Sequence, residues 1–224
     1  MTRILFIILA LLTVLPSISA FDFRIGRLRY SGGGDWYANA SSLSNLLSAT
    51  RQEFSLKVDS TEPTVSLKDD SAFQVDLLYA TGHGNINFTQ SEVKNLRRYL
   101  EAGGFLWVDD NYGMDRFFRR NIRKVFPNRD LVPLGSEHPL FHSYYKLKGL
   151  PKVHEHDGQS AQAFGIFHGH RLIVLYTFSS DIGDGLEDEG VHPDPPEIRE
   201  QARQFALNLV FYVLNGQIQS GKSL

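Results

Sequence analysis

Two stretches decide the fold: DLLYATGHG at residues 76–84 and GGFLWVDDNYG at residues 103–113. Each is a short apolar run that stops abruptly at glycine and ionisable groups. Strands buried on both faces of a parallel sheet read as near-continuous hydrophobic runs. In an open sheet of that kind, ligands bind just beyond the carboxyl ends of the strands. The reading therefore places Gly82, His83 and Gly84 at one strand end, and Asp109, Asp110 and Asn111 at the next, in a common ligand-binding position. Neither turn contains a Cys or a Ser nucleophile.

Outward from these strands, helical and extended patterns alternate. Phe21–Tyr30 reads as a first strand, with a slip of phase near Gly26 that is compatible with a bulge. Leu43, Leu46, Leu47 and Thr50 mark one helix face, and a second strand is expected within Phe54–Val58. Thr89 followed by Glu92 is a capping-box pattern opening a helix whose stripe is Val93, Leu96 and Leu100. A further helix carries Met114, Phe117, Phe118, Ile122 and Val125 up to Pro127. Residues 163–167 and 172–178 read as paired strands around a His-Gly-His-Arg turn. Residues 179–196 read as an acidic loop, and Asp194 with Glu197 is expected to cap a last helix that Gly216 stops. Strands alternating with helices predict a three-layer α/β domain with a mainly parallel sheet.

The chain has 224 residues, 23 of them basic and 25 acidic, and no Cys. Residues 1–20 join Arg3 to an apolar run and a Pro16–Ala20 stretch of small residues, the pattern of a secretory signal peptide. Residues 21–218 are then one domain and 219–224 a tail, in an exported protein that is periplasmic or extracellular and has no stable membrane span once cleaved. Without the signal, 22 basic residues face 25 acidic ones. That balance argues against a nucleic-acid partner. The missing Cys excludes disulfides, thiolate catalysis and Cys-ligated metal sites. No cofactor motif is present, and no cofactor is expected.

The ordered pieces FRIGRLRY (23–30) with Gly34-Asp35-Trp36, TGHG (81–84), GGFLWVDD (103–110), HPLF (138–141), DIGD (181–184) and Asn208–Val210 resemble the exported domain-of-unknown-function family 4159 across essentially the whole mature chain. That resemblance implies a flavodoxin-like fold of the class I glutamine-amidotransferase type. It also implies companionship with MoxR-type ATPases and von Willebrand A-domain proteins as envelope partners. Amidotransferases of that fold keep a Cys on the strand-to-helix elbow. Here the matching elbow is Val108–Gly113, and acid or amide side chains replace the thiol, so thioester chemistry is excluded.

Asp109 and Asp110 together suit a hard cation or acid/base work, although one alone is accounted for as a helix cap. His83, between two glycines, suits ligand or proton exchange near neutral pH. Asp181 follows the strand ending at Phe178 and is expected to join them, and His138 is expected to anchor a loop nearby. His154 with His156, and His168 with His170, have chelate spacing, but their polar turn context reads as incidental, so no metal site is assigned. Arg116, Arg119, Arg120, Arg123 and Lys124 form the polar side of one helix, read as a solvated face. Two functions follow. The first is a non-catalytic binding or assembly module of the cell envelope on a scaffold lacking its thiol. The second is a hydrolase in which His83 meets Asp109 or Asp110, with or without a metal.

Overall fold

The computed structural model describes residues 22–219, with side chains through Gly216; the expected signal peptide and most of the tail lie outside the described residues. One seven-stranded sheet organises the chain: β1 (Ile25–Arg29), β2 (Thr64–Ser66), β3 (Leu77–Gly82), β4 (Phe105–Asp110), β5 (Val132–Pro133), β6 (Gln162–His168) and β7 (Arg171–Phe178). Their spatial order is β2-β1-β3-β4-β7-β6-β5. The strands from β2 to β7 pair in parallel, while β6 and β5 add an antiparallel edge. Every residue of β3 and of β4 is buried. Their unbroken apolar sequence therefore reflects cover on both faces.

That cover comes from α1 (Ser42–Phe54), α4 (Ile182–Leu186) and α5 (Pro196–Gln219) on one face and α2 (Gln90–Glu101) and α3 (Asp115–Val125) on the other. The first core layer packs Leu43, Leu47, Tyr79, Trp107, Phe205 and Leu209; the second packs Leu78, Leu96, Val108, Phe118, Ile122 and Tyr176. Alternate residues of β3 and β4 divide between the two layers, as side chains of a pleated strand must. The architecture is a three-layer, flavodoxin-like α/β fold. The chain turns from β1 outward to β2 and then back across to β3, so the order reverses between β1 and β3, where such sheets open a crevice.

The expected capping box is present: Thr89 accepts from Glu92 N at 3.3 Å, and Glu92 accepts from Thr89 N at 2.8 Å. Several boundaries differ from the sequence reading. No second strand forms within Phe54–Val58, because α1 continues to Phe54 and its aromatic ring packs on Tyr144 and Phe211. Val58 forms an isolated bridge to Phe23, and Lys57 O accepts from Asp22 N at 2.8 Å. Strand β1 begins at Ile25, and its phase slip is burial on both faces; a Cβ on Gly26 would lie 2.5 Å from Val65 Cγ2. Residues 182–186 form a short buried helix inside the supposed loop. Helix α5 starts at Pro196 and runs through Gly216, and Asp194 turns away from it towards His154.

Buried Asn121 of α3 fixes the loop after β3. Its Nδ2 donates to Ile86 O at 2.7 Å, and its Oδ1 accepts from Phe88 N at 3.0 Å. Asn121→Ala strands both backbone groups, so urea unfolding is expected to show a loss of about 2–4 kcal/mol. A loss under about 0.5 kcal/mol would mean that other contacts hold the loop.

Candidate functional site

The carboxyl ends of β3, β4 and β7 meet as expected: Thr81 pairs with Asp109, Gly82 with Asp110, and Asp109 with Thr177. The two adjacent carboxylates nevertheless turn inward. Asp109 is fully buried; its Oδ1 accepts from Thr177 Oγ1 at 2.5 Å and Ile182 N at 3.3 Å, and its Oδ2 accepts from Gly183 N at 2.7 Å. Thr177 Oγ1 in turn accepts from Trp107 Nε1 at 3.1 Å. Burial pushes the Asp109 carboxyl up to about 7, although these donors pull the other way.

Asp110 ties the turn that follows it. Its Oδ1 accepts from Tyr112 N at 2.9 Å and Met114 N at 3.0 Å, and its Oδ2 accepts from Tyr176 OH at 2.9 Å. Asn111 closes a buried amide relay: Thr81 Oγ1 donates to Asn111 Oδ1 at 2.8 Å, and Asn111 Nδ2 donates to Asn39 Oδ1 at 2.7 Å. All three polar residues at the end of β4 thus hold the scaffold together.

His83 does not hydrogen-bond to either aspartate. Its partner is Asp35 in the loop after β1, with Nδ1 and Oδ2 2.9 Å apart and the His83 amide donating to Asp35 Oδ1. Burial raises the Asp35 carboxyl, but the hydrogen bonds from His83 outweigh it and hold the group below the usual range. The imidazole itself stays exposed at the mouth of the crevice. Gly82, at φ 130°, is required by packing, because a Cβ there would lie 2.5 Å from Tyr30 OH and 2.7 Å from Asp35 O. Gly84 faces open space. His138 is placed away from this site. Its Nδ1 accepts from Leu140 N at 3.2 Å, and its ring packs on Phe167 and Tyr212 at the opposite end of the sheet.

In place of the expected pairing of His83 with Asp109 or Asp110, the structure assembles a second group of residues. Tyr112, directly after the elbow, is half exposed with φ 108° and stacks on His156 at 4.7 Å between ring centroids. A bulky residue held at such a φ stores backbone strain, which clusters at functional positions. With Asp110, Gly113, Arg116 and Phe178, these rings line a cavity of about 410 Å³. Behind His156, Asp181 is fully buried at φ 58°, with its Oδ2 3.0 Å from His156 Nε2 but out of line for a hydrogen bond. Burial, then the charges of Asp109 and Asp184, push its carboxyl up to about 9. Further along the same rim, His154 lies 3.7 Å from Asp194, and His192 lies 3.7 Å from Asp184 and 3.2 Å from Glu187.

Sequence reasoning located the strand ends and Asp181 but missed the partners. Asp35 is 48 residues from His83, and His156 is 25 residues before Asp181, so no local spacing reveals either contact. A cavity of about 780 Å³ lies at the other end of the sheet, and its cation Arg171 is committed to the carbonyls of Gly104 and Leu100. Among the described residues, no helix is long and apolar enough to cross a membrane.

The fold and site define a flavodoxin-like α/β protein whose strand-end crevice carries imidazoles, carboxylates and a strained tyrosine but no thiol. The chain belongs to the family Domain of unknown function (DUF4159), which matches residues 24–214. No curated protein matches it.

The Asp109 geometry carries a pH signature. Its folded value near 7 lies above the unfolded value of 3.8, so its contribution to stability is intact below about pH 4 and is lost as pH rises towards 7. Asp109→Asn removes the titration, so its urea midpoint is expected to fall less than that of the unsubstituted protein between pH 4 and 7. Identical slopes would show that Asp109 ionises freely in the folded state.

Proposed function

We propose that this chain is an exported binding or assembly module of the cell envelope, and that its contact surface is the strand-end crevice bearing His83, Tyr112 and His156. One observation carries the reading: Asp109 and Asp110, which stand where a relative of the amidotransferase type would keep its reactive elbow, accept hydrogen bonds from the scaffold through all four carboxylate oxygens. What projects from the elbow is an aromatic ring. Half-exposed Tyr and His rings provide large contact area at low rotamer cost, which suits recognition. The missing Cys supports the same conclusion, because a thioester mechanism has no nucleophile here. The family resemblance supports partners of the MoxR ATPase and von Willebrand A-domain type.

The test is binding of the mature chain to the von Willebrand A-domain protein made by the same cell. Tyr112→Gly is expected to fold, since glycine suits φ 108°, and to weaken binding at least 10-fold. His83→Gln, at the exposed mouth, is expected to weaken it less. Equal affinity in both variants would place the interface elsewhere.

A hydrolase is the second reading, favoured by the His156–Asp181 pair at 3.0 Å beside a cavity. Under the binding reading, a panel of chromogenic glycosides, esters and amides is expected to show no turnover. Turnover that His156→Gln abolishes would establish the hydrolase.

A further inference from the structure

The imidazoles of His154, His156 and His192 and the carboxylates of Asp181, Asp184, Glu187 and Asp194 lie along the rim formed by residues 154–156 and 181–194. The rings of His154 and His156 are 4.9 Å apart between centroids, and those of His154 and His192 are 6.5 Å apart. Asp184 Oδ2 lies 3.7 Å from His192 Nδ1, and its charge also acts on His154 and His156. Asp181, fully buried, reaches the group from beneath, and neither of its oxygens has a hydrogen-bond partner. Asp194 Oδ2 is likewise buried without a partner. A buried carboxylate oxygen that lacks a donor is costly, and native proteins rarely keep several together without a cation or water to satisfy them.

We propose that this cluster is a site for a divalent first-row transition metal of the zinc class, with four ligands drawn from His154, His156, His192, Asp181 and Asp184. Mixed imidazole and carboxylate donors select such ions over calcium or magnesium, which prefer oxygen alone. Two ligands at zinc bond lengths stand about 3.3 Å apart at a tetrahedral centre. The His156–Asp181 separation of 3.0 Å and the His192–Asp184 separation of 3.7 Å bracket that edge. On His154 and His192 the other ring nitrogen already has an orienting carboxylate. Asp194 faces His154 Nδ1 at 3.7 Å, leaving Nε2 for a metal, and Glu187 faces His192 Nε2 at 3.2 Å, leaving Nδ1 beside Asp184. Carboxylates placed behind ligating histidines fix the ring and raise its basicity.

Among the described residues, no three such side chains already converge on one point at ligand distance. Closure requires rotation of the partly exposed His154 and His192 rings about their side-chain bonds, while Asp181 and Asp184 stay anchored. The anchor is α4: Asp184 N donates to Asp181 O at 3.1 Å, and the Ile182 and Gly183 amides are held by Asp109. The inference stands apart from partner binding, because its readout is the metal itself.

Tag-free mature chain is loaded with zinc, dialysed and assayed by mass spectrometry, and a cobalt titration is followed by its visible ligand-field band. One ion per chain is expected, with affinity lowered about 10-fold or more in His156→Gln and in Asp184→Asn. His154→Gln, at a partly exposed position, tests the same site should the aspartate variant fail to fold. The double variant His168→Gln, His170→Gln is expected to bind as the unsubstituted chain does. No retained zinc, zinc retained equally by His156→Gln and His154→Gln, or zinc lost only in the 168/170 variant would overturn the proposal.

Discussion

The carboxylate of Asp109 is the constraint on which the working end of this protein depends. It sits fully buried at the tip of a central strand, where an unpaired charge would be prohibitive. Its bonds to Thr177 Oγ1 and to the Ile182 and Gly183 amides fasten β4 to β7 and to the short helix α4. That helix is packed closely: a Cβ on Gly183 would lie 2.0 Å from Asn39 Nδ2 and 2.5 Å from Tyr79 OH. Asp181 and Asp184 are thereby set at fixed positions under the rim histidines.

The same interaction turns the polar groups at the end of β4 away from the crevice. An elbow residue is reactive only if its functional group projects into the crevice beside a base. Asp109 and Asp110 project instead into a network of amides and hydroxyls, and the exposed role passes to Tyr112. Tyr176 shows how tight that network is: its single hydroxyl stands 2.9 Å from Asp110 and 3.0 Å from Asp115. Arg119 offsets the second carboxylate at 2.7 Å. The basic side of α3 is thus partly structural. Arg119 lies over Phe164 and Tyr176, and Arg116 and Arg120 lie over Phe117.

Where sequence reading went astray, longer-range packing outweighed local pattern. The apolar run near Phe54 looked extended, but aromatic contacts to Tyr144 and Phe211 continue the helix. Asp194 fits a helix-cap position, yet its carboxylate faces His154, and Gly216 is carried inside α5 rather than ending it. His138 sits in a stretch that resembles the family pattern, but its work is local: it caps a short turn and packs on Phe167 and Tyr212.

By itself the sequence determined the α/β class, the parallel strands and the place where the chain's polar groups would gather. Those follow from burial and periodicity, which act locally and leave their mark in residue order. The absence of a thiol, and of the chemistry that needs one, was equally legible. Only the tertiary structure decided which polar groups are spent on the scaffold and which face solvent. Asp109 and Asp110 look the same in sequence as any exposed pair, and His156 looks like an incidental surface histidine. Their roles are set by partners tens of residues away: Thr177 and Gly183 for Asp109, and Asp181 for His156. Such contacts are made by the crossing of strands and loops in space and have no local spacing to betray them.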